Sequence, residues 1–366
     1  MKPSTKYTIG IFWQHAKRYY VLMILLLVGT MITVGTEIVQ PIVFKQLVDF
    51  ISKNSTDQES QVYRLIAMIV LLSLTFNIAQ RIVSFATTYF ESKVQRDLVR
   101  TAYGYVLHHS VGFFSDTFVG SLVAKIKRLD RSFERIADEF IWGIGRTTLL
   151  MIFTLVVLAF HIPLAAIVMF VWIIIFVSCA YAFNQYKMKY ELESVAQDSI
   201  VTGHLADTVT NATTIKLFTA EKTEKSTFQK ITEKQFNIQI FTWNLSNYYE
   251  IFQGLFAMLL EMAILLIAVW LWKQGRLTVG DFVLLQLYIA NIINNLWNIS
   301  KHIRALYRGI ADANEMSEVL LMPYGVADAT DAFKLKVQQG SIKFDQVSFS
   351  YHASSKVFNK FNLEIN

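Results

Sequence analysis

Ionisable and amide side chains inside long apolar runs are the first places to look for chemistry. Glu261 sits near the middle of the run Ile251 to Trp272, which carries no other charge. A carboxylate at such a depth costs a few kcal/mol on insertion scales, so it faces a cavity or a partner helix. Two roles stay open for it: a cation-attracting or proton-linked site on a pathway, or a hydrogen bond between helices. Glu37 and Arg81 are alternative charged partners in neighbouring runs. Asn291, Asn294, Asn295 and Asn298 recur at i, i+3, i+4 and i+7 and so share one helix face. That face can line a water-filled path or can bond neighbouring helices, at about 0.6 kcal/mol each on average. His108 and His109 have no cysteine and no paired acids nearby, so a metal site there is not expected.

The elements that must position these residues are membrane helices. The 366 residues are 54% hydrophobic and only 17% charged, against roughly a quarter in soluble domains. Mean hydropathy is +0.38. About 20 apolar residues suffice to cross a bilayer. Tyr19 to Phe44, Leu65 to Phe90, Ile251 to Trp272 and Phe282 to Ser300 each read as one span. Thr147 to Tyr186 has no Asp, Glu, Lys or Arg and reads as two, turning at His161-Ile162-Pro163. The total is six. The tryptophans Trp142, Trp172, Trp270, Trp272 and Trp297 include some of the expected interface anchors. The single cysteine, Cys179, excludes an internal disulfide. The net charge of +6 points to basic loops on one side of a membrane, not to nucleic acid. Most Lys and Arg lie in Glu91 to Phe140, Asn184 to Glu250 and beyond Ser300. The positive-inside rule makes that side cytoplasmic, with both termini inside and a bacterial inner membrane as the expected location.

Two of the cytoplasmic connections run to about 50 and about 67 residues. They are too long for turns, and they are patterned. Leu122, Ile126, Leu129, Phe133, Ile136 and Phe140 form one apolar stripe of an amphipathic helix, with Lys125, Arg128 and Arg135 off it. Glu221 and Lys225 are spaced for an i,i+4 ion pair. The membrane helices therefore continue as arms; 25–30 residues would reach roughly 35–45 Å. Each arm pair must reverse. The first reversal is VGFFSDTFVG, Val111 to Gly120, which places Phe113, Phe114 and Phe118 at a tip. The second lies near DTVTNATTIKLF, Asp207 to Phe218. Aromatic residues at the end of a solvated arm favour a docking surface for a partner.

These stretches resemble the ATP-binding cassette (ABC) exporters built as half-transporters. FFSDTFVGSLVAKIKRLD, Phe113 to Asp130, is similar to that family's first intracellular loop, with Ser121 and Lys125 in place of the usual acid and arginine. NATTIKLFTAEKTEKSTF, Asn211 to Phe228, is similar to its second, with Asn211 where glycine is common. LTVGDFVLLQLYI, Leu277 to Ile289, resembles the entry to the sixth helix, and GSIKFDQVSFSY, Gly340 to Tyr351, the opening strands of a nucleotide-binding domain. The resemblance implies an all-α polytopic fold of the type I exporter class over residues 1–313, a linker over 314–338 and a short β fragment of an ATP-binding domain over 339–366. It implies a homodimer or heterodimer with another half-transporter, and alternating access driven by nucleotide-binding domains. Phe113, Phe114, Ser115, Asp116, Thr208, Asn211 and Thr213 would make the coupling contacts, and Tyr351 would stack on adenine. The pathway residues would be Glu261 and the four asparagines. The substrate would be a hydrophobic or amphipathic small molecule, lipid or peptide.

ATP and Mg belong to the complete transporter. The 366 residues contain no G-x-x-x-x-G-K-[ST], so this chain by itself cannot hold the phosphates for hydrolysis. A piece of a longer transporter is therefore expected. The other readings are a truncated, non-transporting dimerisation partner and an ATP-independent six-helix channel or secondary transporter. The long arms and the strand-rich tail disfavour the last.

Overall fold

A computed structural model describes residues 3–52, 59–326, 331–334, 336–337, 340–352 and 355–365, without the side chains of Pro3, Asp116, Ser300, Tyr351, His352, Ser355 and Lys356. The helices in chain order are α1 (Pro3–Ala16), α2 (Tyr20–Ser52), α3 (Glu59–Leu107), α4 (Val111–Asp116), α5 (Val119–Ile141) and α6 (Ile144–His161). After them come α7 (Pro163–Thr210), α8 (Ala212–Leu217), α9 (Glu221–Lys273), α10 (Val279–Trp297) and α11 (Ile299–Leu320), then strands β1 (Ile342–His352) and β2 (Ser355–Ile365). Among the described residues six helical segments are long and apolar enough to cross a membrane, as the sequence predicts. Several far exceed a bilayer. At 1.5 Å per residue the 53 residues of α9 span about 80 Å, against an apolar core of about 30 Å. The excess is the arm. Regular helix runs to Leu320, so the start of the expected linker is helical.

The chain divides into two compact units. The larger comprises Val21–Thr88 and Ala137–Leu306. Its core is built from α6, α7, α9 and α10, with Leu158, Met169, Leu260, Ile264, Leu284 and Tyr288 buried. Lipid tails are as apolar as leucine, so burial alone does not bring membrane helices together; shape and hydrogen bonds must. Trp172 supplies both. It stacks on Phe176 and Phe256, and its Nε1 donates to the Phe256 carbonyl at 3.0 Å. Of the five tryptophans Trp172 is thus a packing residue, while Trp270 and Trp272 are exposed. Tyr288, fully buried, donates its hydroxyl to the Ile38 carbonyl at 2.8 Å. The turn into α10 is fixed by a capping box of Thr278 and Asp281. Asp281 also pairs with Lys45 at 2.6 Å, while Asp49 accepts the Gly280 N–H at 2.7 Å. A Cβ at Gly280 would strike the Lys45 carbonyl, so only glycine lets α2 and α10 approach this closely.

The smaller unit comprises Met1–Tyr20, Tyr89–Ile136 and Tyr307–Asn366. The apolar stripe of α5 is buried at Leu122, Leu129 and Phe133, with Phe133 edge-on to Phe12 of α1. The stripe fails at its end: Phe140 is exposed and Ala137 is buried instead. The basic residues off the stripe meet acids of α11, Arg128 with Glu315 at 2.8 Å and Arg135 with Asp312 at 2.9 Å. Thr8, fully buried, lies 2.7 Å from both Asn314 Oδ1 and Ser317 Oγ, which ties α1 to α11. The strands pair antiparallel, Ile342 with Ile365 and Phe344 with Leu363. The apolar residues Phe344 and Val347 stand three apart, so the alternation of β1 is interrupted between them. The register shifts there, and Gln346 takes a left-handed φ of 47° with its N–H on Asn362 Oδ1 at 2.6 Å. The extra residue is absorbed as an irregularity of the ladder, and further register shifts follow as far as His352.

Candidate coupling tips and membrane pathway

At the first reversal the chain forms a six-residue helix, α4, with Ser110 at its N-cap position. Phe113 stacks on His109 at 4.1 Å and meets Phe114 edge-on at 5.5 Å. Tyr324 closes the cluster, 5.3 Å from His109 and 4.7 Å from Tyr105, whose hydroxyl donates to the Met322 carbonyl at 2.6 Å. Phe113 and Phe114 are thus half-buried and brace the tip. The residues it presents outward are Val111 and Phe118, 81% and 80% exposed. Ser115 is exposed and bonds only back to the Val111 carbonyl among the described residues, and the side chain of Asp116 lies outside them.

The second reversal is also a six-residue helix, α8. Asn211 joins α7 to α8 and turns its amide back onto the Asp207 carbonyl at 3.0 Å. Thr208 donates to Glu224 Oε1 at 2.6 Å, and His204 Nε2 stands 2.8 Å from the same oxygen, so Thr208 locks α7 to α9. Thr213 is exposed. Glu221 pairs with Lys216 at 2.9 Å in place of the expected Lys225, because the turn brings α8 back over the start of α9. That hydrogen bond holds the Glu221 carboxyl below the usual range. The outward residues are Leu217 and Phe218, 78% and 79% exposed. None of the four outward apolar residues except Phe118 is singled out by sequence reading. Which residue of an apolar turn faces out depends on the phase of a two-turn helix, and six residues are too few to show a period.

In the larger unit, Glu261 accepts a hydrogen bond from Gln286 Nε2 at 2.7 Å across α9 and α10. The asparagine face divides. Asn295 donates to the Asn291 carbonyl at 2.8 Å and lies 3.4 Å from Thr147 on α6, the interhelical use of an amide. Asn294 is exposed, and Asn298 ends α10 as its C-cap. A single face through all four is broken because the helix stops at Trp297 and restarts at Ile299. Glu37 pairs with Arg146 at 2.5 Å, and among the described contacts Glu261 meets Gln286 in place of the expected Glu37 or Arg81. No group of three or more His, Cys, Asp or Glu placed to hold a metal occurs among the described residues.

Six long helices, two six-residue tips and a terminal strand pair are thus in place when the chain is compared with known proteins. The pattern defining the ABC transporter transmembrane region matches residues 23–296. The chain belongs to this family. It is an integral multi-pass membrane protein. The chain is 24% identical over 351 residues to an ABC transporter ATP-binding protein of Haemophilus influenzae, covering 91% of this chain and 55% of that one. A heavy metal exporter of the ATM1 type from Novosphingobium aromaticivorans is 28% identical over 159 residues, 43% of this chain and 26% of its own. The structure of a bacterial Atm1-family ABC exporter with ATP bound superposes with a TM-score of 0.70 at 20% identity, over 95% of this chain and 61% of that one. The fold is therefore that of an Atm1-type exporter membrane domain. This ABC transporter chain spans about half the length of its Haemophilus influenzae relative.

Proposed function

We propose that this chain is the membrane half of an ATP-driven exporter, which pairs with a second half-transporter, identical or not, in a bacterial inner membrane. Both termini and both tips face the cytoplasm, on the side where the basic residues gather. Nucleotide-binding domains dock on α4 and α8, and their closure on ATP and Mg rocks the arms as rigid bodies, opening the pathway outward. The exported substrate is hydrophobic or amphipathic. The observation that carries this reading is the form of the tips. Two short helices at the ends of helical hairpins expose Val111, Phe118, Leu217 and Phe218, large apolar side chains that a solvated loop has no reason to present.

The residues present do not form a site for ATP by themselves. Tyr351 on β1 is the one residue assigned to the adenine, and its side chain lies outside the described set. The phosphates and Mg are left to nucleotide-binding domains, and no hydrolytic step is drawn from this chain. In a transporter that contains the chain together with those domains, Tyr351→Ala weakens ATP affinity by about tenfold, the loss expected for one aromatic contact of roughly 1.4 kcal/mol. Unchanged affinity contradicts the assignment. The tips are tested by Leu217→Ser combined with Phe218→Ser. ATPase persists while ATP-dependent transport falls to background, because the contact that passes motion to the arms is lost. Transport at the unaltered level would count against docking at α8.

A further inference from the structure

Two glutamates lie in the apolar runs of the larger unit, and they are handled differently. Glu37 is neutralised by Arg146. Glu261 meets an amide, Gln286, and no cationic group pairs with it among the described residues. The amide donates its N–H to the carboxylate. What the pair still offers is acceptors, the second carboxylate oxygen and the amide oxygen. The surface around them is open. Gln286, Ala290 and Asn294 are exposed along one face of α10, and Trp297 continues that face one turn further on. On α9, Met258 is exposed one turn from Glu261, and the Trp297 ring lies beside Gly254, 3.8 Å from where a Cβ there would stand. Gly254 and Glu261 are seven residues apart on α9, and Gln286 and Trp297 eleven apart on α10, so the indole and the carboxylate are separated by roughly 10–16 Å along the two helices.

From this arrangement we propose that the α9–α10 groove is a binding site for organic cations carrying apolar arms. The unneutralised carboxylate supplies the charge, the tryptophan face a cation–π and stacking surface, and the unbranched Met258 an adaptable wall. The site deepens the exporter reading and rests on it, since it assigns a substrate class to the pathway. A lipid-facing placement of the same groove would leave a carboxylate and two amides against hydrocarbon, at a cost of several kcal/mol. An anionic ligand would add a second charge of the same sign.

The test uses tetraphenylphosphonium and tetraphenylborate, ions of one shape and opposite charge, with the full chain in phosphatidylcholine nanodiscs. Binding is measured by equilibrium dialysis against empty discs. The phosphonium binds saturably and the borate does not. Glu261→Gln lowers phosphonium affinity about tenfold, Glu261→Asp keeps it within about threefold, and Ala290→Trp, which fills the groove and leaves the charge, abolishes it. Each variant is checked for an unaltered melting profile, and Ala290→Trp keeps the test open if the charge variant does not fold. Equal binding of the two ions, or undiminished phosphonium binding in Glu261→Gln, overturns the site. A carboxylate that serves only protons gives that second result. ATP-driven movement of the arms is a separate measurement. If the arms move and the phosphonium does not bind, the site fails and the exporter reading stands.

Discussion

Glu37 and Glu261 show how far a residue type is defined by its neighbours. Both are single acids in apolar runs, but the sequence leaves two roles open for Glu261 and offers Glu37 as a charged partner to it. The structure separates them. Glu37→Gln leaves Arg146 charged and unpaired at a half-buried site, so stability falls by about 3 kcal/mol. Glu261→Gln leaves no cation behind, and the Gln286 amide can still donate to the new side chain, so the loss stays under about 1 kcal/mol. Thermal unfolding of the two variants in detergent, side by side, checks the contrast; equal losses would remove it. The partner Arg146 was not foreseen because it lies just before the charge-free run, where it reads as a loop residue. Gln286 was missed for a related reason. A lone amide in an apolar helix has no period, whereas the four asparagines do, and the period drew attention to a face that the break at Asn298 then divides.

Elements were more legible than side chains. Six spans, the arms, both reversals and the strands follow from run length, the 3.6-residue stripe of α5 and near-alternation in β1, all of which accumulate over many residues. What sequence could not show is how each reversal is closed. After α8, the Thr219 N–H bonds to the Lys216 carbonyl at 3.1 Å and the Ala220 N–H to the Ile215 carbonyl at 3.0 Å, the paired pattern that usually ends on glycine. Here the left-handed position, φ 52°, is held by Thr219, a β-branched residue that disfavours it. Thr219→Gly therefore stabilises the second tip by about 1 kcal/mol. Slower amide exchange through 212–220 is the expected readout, and faster exchange would show that the threonine side chain has a compensating role. The strained turn lies directly behind Leu217 and Phe218, so it aims the two residues given the docking role.

For the whole molecule, the central claim is that ATP moves the arms of this chain relative to those of a second half-transporter. The substrate need not be known to test it. Cys179 is replaced by alanine, and Lys230, exposed on the arm of α9, by cysteine carrying a spin label. The distance between labels is then measured by double electron–electron resonance in a dimeric transporter that contains this chain and its nucleotide-binding domains. A shorter distance is expected when ATP, Mg and vanadate are added, and the original distance in the Leu217→Ser, Phe218→Ser background. One unchanged distribution with and without nucleotide, in the unaltered tips, would contradict it.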